Sequence, residues 1–349
     1  VMRNRLMSAW DFLIIGGGIA GVSVAAKLAP HGRTLVLERE SALGYHATGR
    51  SAAVVALNYG GPQVRALTRA SLPTLLETEV DGQRFSKHLG MLLLELQGQI
   101  GGLDAYLRDP ERLGEAHEVE ITEALRRLPI LKREALVRAC WEPHLWALDS
   151  DALLHWYRRL ARDAGAEIRT DSEVTSITAH GKGWRVGIRD QVQTAGVVVN
   201  AAGAWADTVA KLAGVRSCVL QPKRRTAVMV PAPDDLNVQG WPAVIDTGET
   251  RYFKPDAGAL MISLADEADS PPCDAWANDE DVANAVDRVQ QIADLPVKRL
   301  IASWAGLRTF APDRLPVVGW AVDQPRFFWL AGQGGFGLQT APAVAELAA

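Results

Sequence analysis

Apolar positions along the chain follow two periods, and the change from one to the other marks the elements. Phe12-Leu13-Ile14-Ile15 is a continuous apolar run that starts after Asp11 and stops at glycine, the pattern of a strand buried on both faces. Helical spacing follows at once from Ile19, and Thr34-Leu35-Val36-Leu37 makes a second strand that ends at Glu38. Residues 11–40 therefore read as β-α-β. Residues 41–61 read as a glycine-rich loop with a short helix. Residues 62–80 read as a helix with Pro62 near its start. Met91-Leu92-Leu93-Leu94 marks a strand within 84–96. Residues 102–140 carry Leu, Arg and Glu at helical spacing, which predicts solvated helix faces. Asp149-Ser150-Asp151 predicts an N-cap for a helix over Ala152 to Ala164, closed by Gly165. Further strands are expected at Ala166–Arg169, Val174–Ile177, Trp184–Ile188 and Val197–Val199, and then at 226–230, 252–254 and 260–262. Residues 278–293 read as a helix.

Glycine gives the first β-α-β unit its chemistry. Gly16, Gly18 and Gly21 form G-x-G-x-x-G at the strand-to-helix turn, with Glu38 at the end of the second strand. In this fingerprint the first glycine permits the tight turn. The second admits a pyrophosphate close to the backbone, and the third lets helix and strand pack closely. Ala20 lies in the same turn, where a helix N-terminus offers N–H donors to phosphate. A second glycine turn opens at Asn200-Ala201-Ala202-Gly203, and a third spans Gly332 to Gly337. Glycine turns at both ends and in the middle predict a nucleotide-binding domain assembled from 8–83, 145–219 and 299–349. A second domain is then expected from 84–144 and 220–298.

Composition narrows the class. The chain has 349 residues, 48% hydrophobic and 22% charged, enough for a large core and two domains. A net charge of −4 gives no basic footprint for nucleic acid. Cys140, Cys218 and Cys273 lie far apart without a C-x-x-C, which fits reduced thiols and no metal site. Arg3 and Arg5 before an apolar run imitate a signal peptide, but glycines 16–18 break that run, so the first residues read as a short disordered leader. No apolar stretch reaches the roughly 18 residues needed to span a bilayer. The expectation is a cytoplasmic protein, with peripheral contact at the inner face of the membrane as an open possibility.

The segments DFLIIGGGIAG, LERESALGYHATGRSAA, VNAAGAWAD, LQPKRR, YFKPDAG, SWAGLRTF and AGQGGFGLQT run in order along nearly the whole chain. Together they resemble the D-amino acid oxidase and glycine oxidase superfamily of FAD enzymes, and within it the bacterial D-arginine dehydrogenases. The resemblance implies a mixed α/β fold, with a Rossmann-like FAD-binding domain and a discontinuous substrate domain on an antiparallel sheet. It implies FAD held non-covalently. Glu38 and Arg39 would meet the adenosine ribose and backbone of Val174 the adenine. Ala47, Thr48, Gly49, Arg50, Ser51, Ala52 and Ala53 would run past the pyrophosphate and along the flavin. Gly203, Gly334, Gly335, Phe336, Gly337, Leu338 and Gln339 complete the cofactor set, the last six around a helix N-terminus near the flavin pyrimidine. His46 is not expected to be a covalent attachment point, because no histidine follows within Thr48–Ser51.

The same resemblance implies a substrate site of Arg308, Arg225, Tyr252, Tyr59 and Gly335. Arg308 would hold a carboxylate through two parallel N–H bonds, and the Gly335 carbonyl would accept from the substrate nitrogen. The implied reaction is hydride transfer from Cα of a D-amino acid to flavin N5, giving an imino acid that hydrolyses to a 2-oxo acid and ammonia. Basic-substrate relatives carry His and Glu where Val54 and Gly90 stand here, so a small or apolar side chain is expected. Two other readings remain open at this stage: an oxidase of sarcosine, glycine or a cyclic imino acid on the same fold, and a flavin-binding protein without turnover. The electron acceptor is open between oxygen, a quinone and an artificial dye. The chain ends inside what reads as a helix after Gln339, where relatives continue, so a truncated or disordered tail is expected.

Overall fold

The computed structural model describes residues 9–189, 191–233 and 236–349. The leader with Arg3 and Arg5, and the first residue of the expected nucleotide domain, lie outside them.

The first sheet has eight strands. Trp10–Ile15 lies parallel between Thr34–Leu37 and Gln191–Asn200. Glu167–Arg169 extends it beyond Thr34–Leu37, and Phe327–Ala331 pairs parallel with Gln191–Asn200. Gly183–Ile188 and Val174–His180 continue it antiparallel. The parallel strands are apolar and buried, as a doubly covered sheet requires: Leu13, Ile14, Leu35, Val36 and Val198 are all fully buried. Helix Ile19–Leu28 covers one face, through Val24, Ala25 and Leu28 on Ile14 and Val36. The parallel strands thus end on one side, four of them at Gly16, Glu38, Ala201 and Gly332. Ligands of open α/β sheets bind beyond such carboxyl ends.

The second sheet has nine strands. Its order is 268–269, 221–231, 259–263, 252–256, 243–246, 91–96, 136–142 and 117–119, with Ala302–Phe310 paired antiparallel to Gln221–Pro231. Helix Asp279–Gln290, capped by the Asn278 side chain, packs on it through Ala285 and Val289. Within 299–349, Ala302–Phe310 joins this second sheet, whereas Val317–Trp320 and Phe327–Ala331 join the first.

Two segments differ from the sequence reading. Residues 102–140 are not mainly helical. Short helices at Gly102–Arg108 and Ile121–Arg127 alternate with strands His117–Val119 and Leu136–Glu142. Pairing of Leu136–Glu142 on Met91–Leu96, with Ala139 and Cys140 buried, outweighs a helical charge pattern that is only local. Residues 41–61 hold no helix. They form a run of turns and the strand Val54–Ala56, which pairs with Leu145–Leu148. The helix expected from Ala152 begins at Ser150, and the Asp149 carboxylate accepts from Ala152 N–H at 2.8 Å.

Candidate functional site

One open cleft, of about 1810 Å³ mouth included, runs from the carboxyl ends of the parallel strands to the face of the second sheet. Its nucleotide end is built by glycines that admit no side chain. Gly16 has φ +112°, and a Cβ there would sit 2.3 Å from the Ala201 carbonyl oxygen. A Cβ on Gly21 would lie 1.9 Å from the Gly16 carbonyl oxygen, so strand and helix meet backbone to backbone. The helix that starts at Ile19 has no side-chain cap at Gly18, and Thr48 Oγ1 accepts from Ile19 N–H at 3.0 Å. Glu38 is buried, with its carboxylate accepting from Gly17 N–H at 2.6 Å and Glu40 N–H at 2.9 Å. Arg39 pairs with Glu40 and stacks 4.3 Å from the Trp205 ring.

The structure brings most of the expected cofactor residues to this wall. Gly16, Gly18, Ala20, Glu38, Arg39, Ala47, Thr48, Arg50, Ser51, Ala52, Val174, Gly203, Gly334, Gly335, Gly337 and Leu338 all line the cleft. Gly21, Gly49, Ala53, Phe336 and Gln339 do not. Each supports the wall from behind. Gly49 N–H donates to the Gly44 carbonyl, and Ala53, at φ +49°, donates to Ser51 Oγ. Phe336 packs on Tyr59, and the Gln339 amide accepts from Ala56 N–H and donates to Thr68 Oγ1.

Sequence reasoning missed several contributors. Gln333 lines the cleft, and its buried Nε2 has no hydrogen-bond partner among the described residues. Its position between Gly332 and Gly334 was the only signal. Trp205 and His46 also line the cleft, stacked 4.6 Å apart, and His46 Nε2 lies 2.9 Å from the Glu40 carboxylate. The expected residue Arg50 also forms a clasp with partners the sequence did not show: it donates to the carbonyls of Ala275 and Ala305 and to the Asp274 carboxylate at 2.5 Å. A helix N-terminus whose N-cap is a glycine, a buried acid at the second strand, glycine turns and an orphaned amide donor together fit a dinucleotide.

The other end of the cleft belongs to the second sheet. Arg225 stands opposite Gly306 on the paired strand, so Arg225 and Arg308 are diagonal neighbours on one face. Both line the cleft, as does Tyr252. Arg225 is committed in part: Nε donates to the Asp266 carbonyl at 2.7 Å, and Nη2 lies 3.4 Å from Glu267. Glu267 is shared with Arg314 at 3.0 Å. Arg308 is different. It donates to the Tyr59 hydroxyl at 3.2 Å, and among the described residues no carboxylate forms an ion pair with it. Burial works against its charge, but the Tyr59 and Tyr252 oxygens and Glu267 outweigh that and hold it above the ordinary arginine value. Tyr59 lies behind this wall and touches it through Arg308. Gly335 presses on the guanidinium, where a Cβ would come within 3.0 Å of Nη1.

Val54 and Gly90 do not line the cleft. Gly90 has φ +70°, and a Cβ there would fall 2.1 Å from the Trp141 ring. It is glycine for backbone and packing reasons, not in place of a pocket glutamate. Glu95 is also remote: it is buried beside Arg138 and accepts from Leu103 N–H.

The chain matches the model of the family described as FAD dependent oxidoreductase (DAO) over residues 11–349. It is 25% identical to glycine oxidase of Geobacillus kaustophilus strain HTA426 over 97% of this chain and 92% of that one. It is 28% identical to D-amino-acid oxidase of Streptomyces coelicolor over 97% and 95%. Its fold superposes on dithionite-reduced L-alpha-glycerophosphate oxidase of Mycoplasma pneumoniae with FAD bound, at a TM-score of 0.87 and 18% identity over 98% and 94% of the two chains. Match and cleft agree, and the chain belongs to the DAO family of FAD dependent oxidoreductases.

Proposed function

We propose that this protein oxidises the amine of a D-amino acid. The observation that carries the proposal is Arg308, a guanidinium deep in the cleft that among the described residues has a tyrosine hydroxyl as hydrogen-bond partner and no carboxylate in an ion pair. A buried cation without a counter-ion is costly, and a substrate carboxylate is the partner its geometry suits. Bound FAD supplies the two-electron oxidant. Gly16, Gly18 and the first turn from Ile19 would hold its pyrophosphate, Glu38 its ribose, and the 332–338 turn its flavin end. Arg308, with Tyr59 behind it, fixes the carboxylate, and the Gly335 carbonyl receives the substrate N–H. Orientation of Cα by these groups supplies much of the rate. A substrate bound with a neutral amine needs no side-chain base, and none is assigned. We read 8–83, 145–219 and 299–349 as the FAD-binding domain and 84–144 and 220–298 as the substrate domain.

The side-chain class follows from the acids of the wall. The only carboxylates among the described lining residues are Glu38 and Glu173, both at the nucleotide end. A lysine or arginine side chain would meet Arg225 and Arg308 and no acid, so small and apolar side chains are favoured. Glycine is the second reading, supported by the likeness to a glycine oxidase. Anaerobic bleaching of the flavin against a panel of D- and L-amino acids, glycine and sarcosine decides. D-leucine, D-methionine or D-alanine should bleach faster than D-arginine and faster than every L-isomer. Bleaching led by sarcosine or glycine favours the second reading. Bleaching led by D-arginine, or none at all, overturns the proposal.

A further inference from the structure

Among the described residues the Tyr59 hydroxyl is the group that accepts a hydrogen bond from Arg308, yet Tyr59 sits in a short turn after Val54–Ala56 rather than in a strand. What holds that turn is a half-buried polar network outside the cleft, centred on the buried Glu142. Asn58 Oδ1 accepts from Leu113 N–H at 2.7 Å, and its Nδ2 donates to the Leu113 carbonyl at 2.8 Å. The same Nδ2 donates to Glu142 Oε2 at 2.7 Å. Glu142, buried at the end of Leu136–Glu142, also accepts from the Tyr106 hydroxyl at 2.7 Å and from His144 N–H at 2.8 Å. One residue further along, the Gly60 carbonyl accepts from Arg65 Nε, and Arg65 pairs with Asp109 at 2.6 Å. The turn is thus tied on both sides of Tyr59 to the segment 106–113, which contributes nothing to the cleft wall. Burial and the neighbouring Glu142 carboxylate push the Tyr106 hydroxyl far above the usual tyrosine range, so it stays a donor.

We propose that Asn58, anchored by Glu142 and Leu113, is a positioning residue for substrate recognition: it sets the Tyr59 hydroxyl against Arg308 and thereby fixes the guanidinium for a carboxylate. The inference rests on the reading of Arg308 as the carboxylate receptor. A charged buried acceptor that holds two side-chain donors gives the turn one register. Without it, Asn58 loses its charged partner and the tyrosine hydroxyl is free to leave the guanidinium. The side chain is one residue away from the contact it controls, so loss should appear in binding and leave chemistry in the saturated complex little changed.

The test uses the FAD-loaded enzyme with benzoate as a carboxylate probe, read by calorimetry, and the best substrate of the panel, read as kcat and KM. Asn58→Ala should weaken benzoate roughly tenfold, the scale of a lost hydrogen bond to a charged group, with KM raised and kcat within about twofold. In a Tyr59→Phe background the same substitution should change benzoate affinity less than about twofold, because the contact it controls is already gone. Tyr106→Phe, which removes the other side-chain donor to Glu142 and keeps Asn58, should give a smaller change of the same sign. Equal losses for Asn58→Ala in both backgrounds show a general structural role and overturn the proposal. So does an unchanged benzoate affinity. If Arg308→Met and Tyr59→Phe themselves leave benzoate binding intact, the carboxylate site itself is misassigned, a failure distinct from that of Asn58 alone.

Discussion

Arg308 concentrates the argument at the scale of single residues. An arginine inside the apolar run Trp304-Ala305-Gly306-Leu307 is conspicuous in sequence, because burial is expensive unless an anion answers it. The structure adds that its protein partner is a neutral hydroxyl. Arg308→Met should therefore lower kcat/KM by about 3 kcal/mol or more, with FAD retained. A loss under roughly tenfold would assign the carboxylate to another group, Arg225 being the other arginine of the second sheet that lines the cleft. Gly90 shows the opposite case. Spacing along Met91–Leu94 cannot reveal that the residue before it lies in the left-handed region under Trp141. Gly90→Glu should accordingly lower the melting temperature, with a backbone penalty alone of about 1–2 kcal/mol, and should not raise kcat/KM for D-arginine. A gain for D-arginine in a stably folded variant would restore the pocket reading of that position.

Elements were legible in proportion to how local their causes are. The β-α-β start, the Asp149 cap and the glycine turns each depend on neighbours within a few residues, and all appear where the pattern placed them. Leu136–Glu142 and the turns of 41–53 depend on partners far along the chain, and there the local pattern misled. The turn segment carries the lining residues Ala47, Thr48, Arg50, Ser51 and Ala52, and its shape is held by a clasp that no periodicity could show. Arg50 reaches two carbonyls and Asp274, tying the cofactor wall to the 273–275 segment. Arg50→Ala removes these bonds while leaving the glycine turn intact. FAD dissociation, followed by the fluorescence of released flavin, should become at least about tenfold more favourable, the scale of one charged hydrogen bond. Unchanged retention of FAD would mean that the turns hold their shape without the clasp.

At the scale of the whole molecule, the cleft lies where two sheets meet, and carboxylates paired with arginines fasten its rim: Asp274 with Arg50, Glu267 with Arg314 and Arg225, Glu40 with Arg39 and His46. Partial burial pushes each of these acids upward, yet the cationic partners prevail and all three titrate below their ordinary values of 3.8 for Asp and 4.5 for Glu. A group whose folded pKa is depressed stabilises the fold at every pH above its unfolded value, and that contribution disappears as pH falls through the folded value. The rim should therefore be fully fastened from neutrality down to about pH 4.5 and should loosen below it, with no stability gained on acidification. These groups are partly exposed, so the effect is a sum of small terms that salt also weakens. The melting temperature of the FAD-loaded protein should be flat in this contribution from pH 7 to about 5, fall between about 4.5 and 3, and fall less steeply in Arg50→Ala, which has already lost the Asp274 pair. FAD release should track the same window. A melting temperature that rises between pH 4.5 and 3, or an acid slope identical in Arg50→Ala, would show that the arginine–carboxylate pairs do not hold the two sheets around the cofactor.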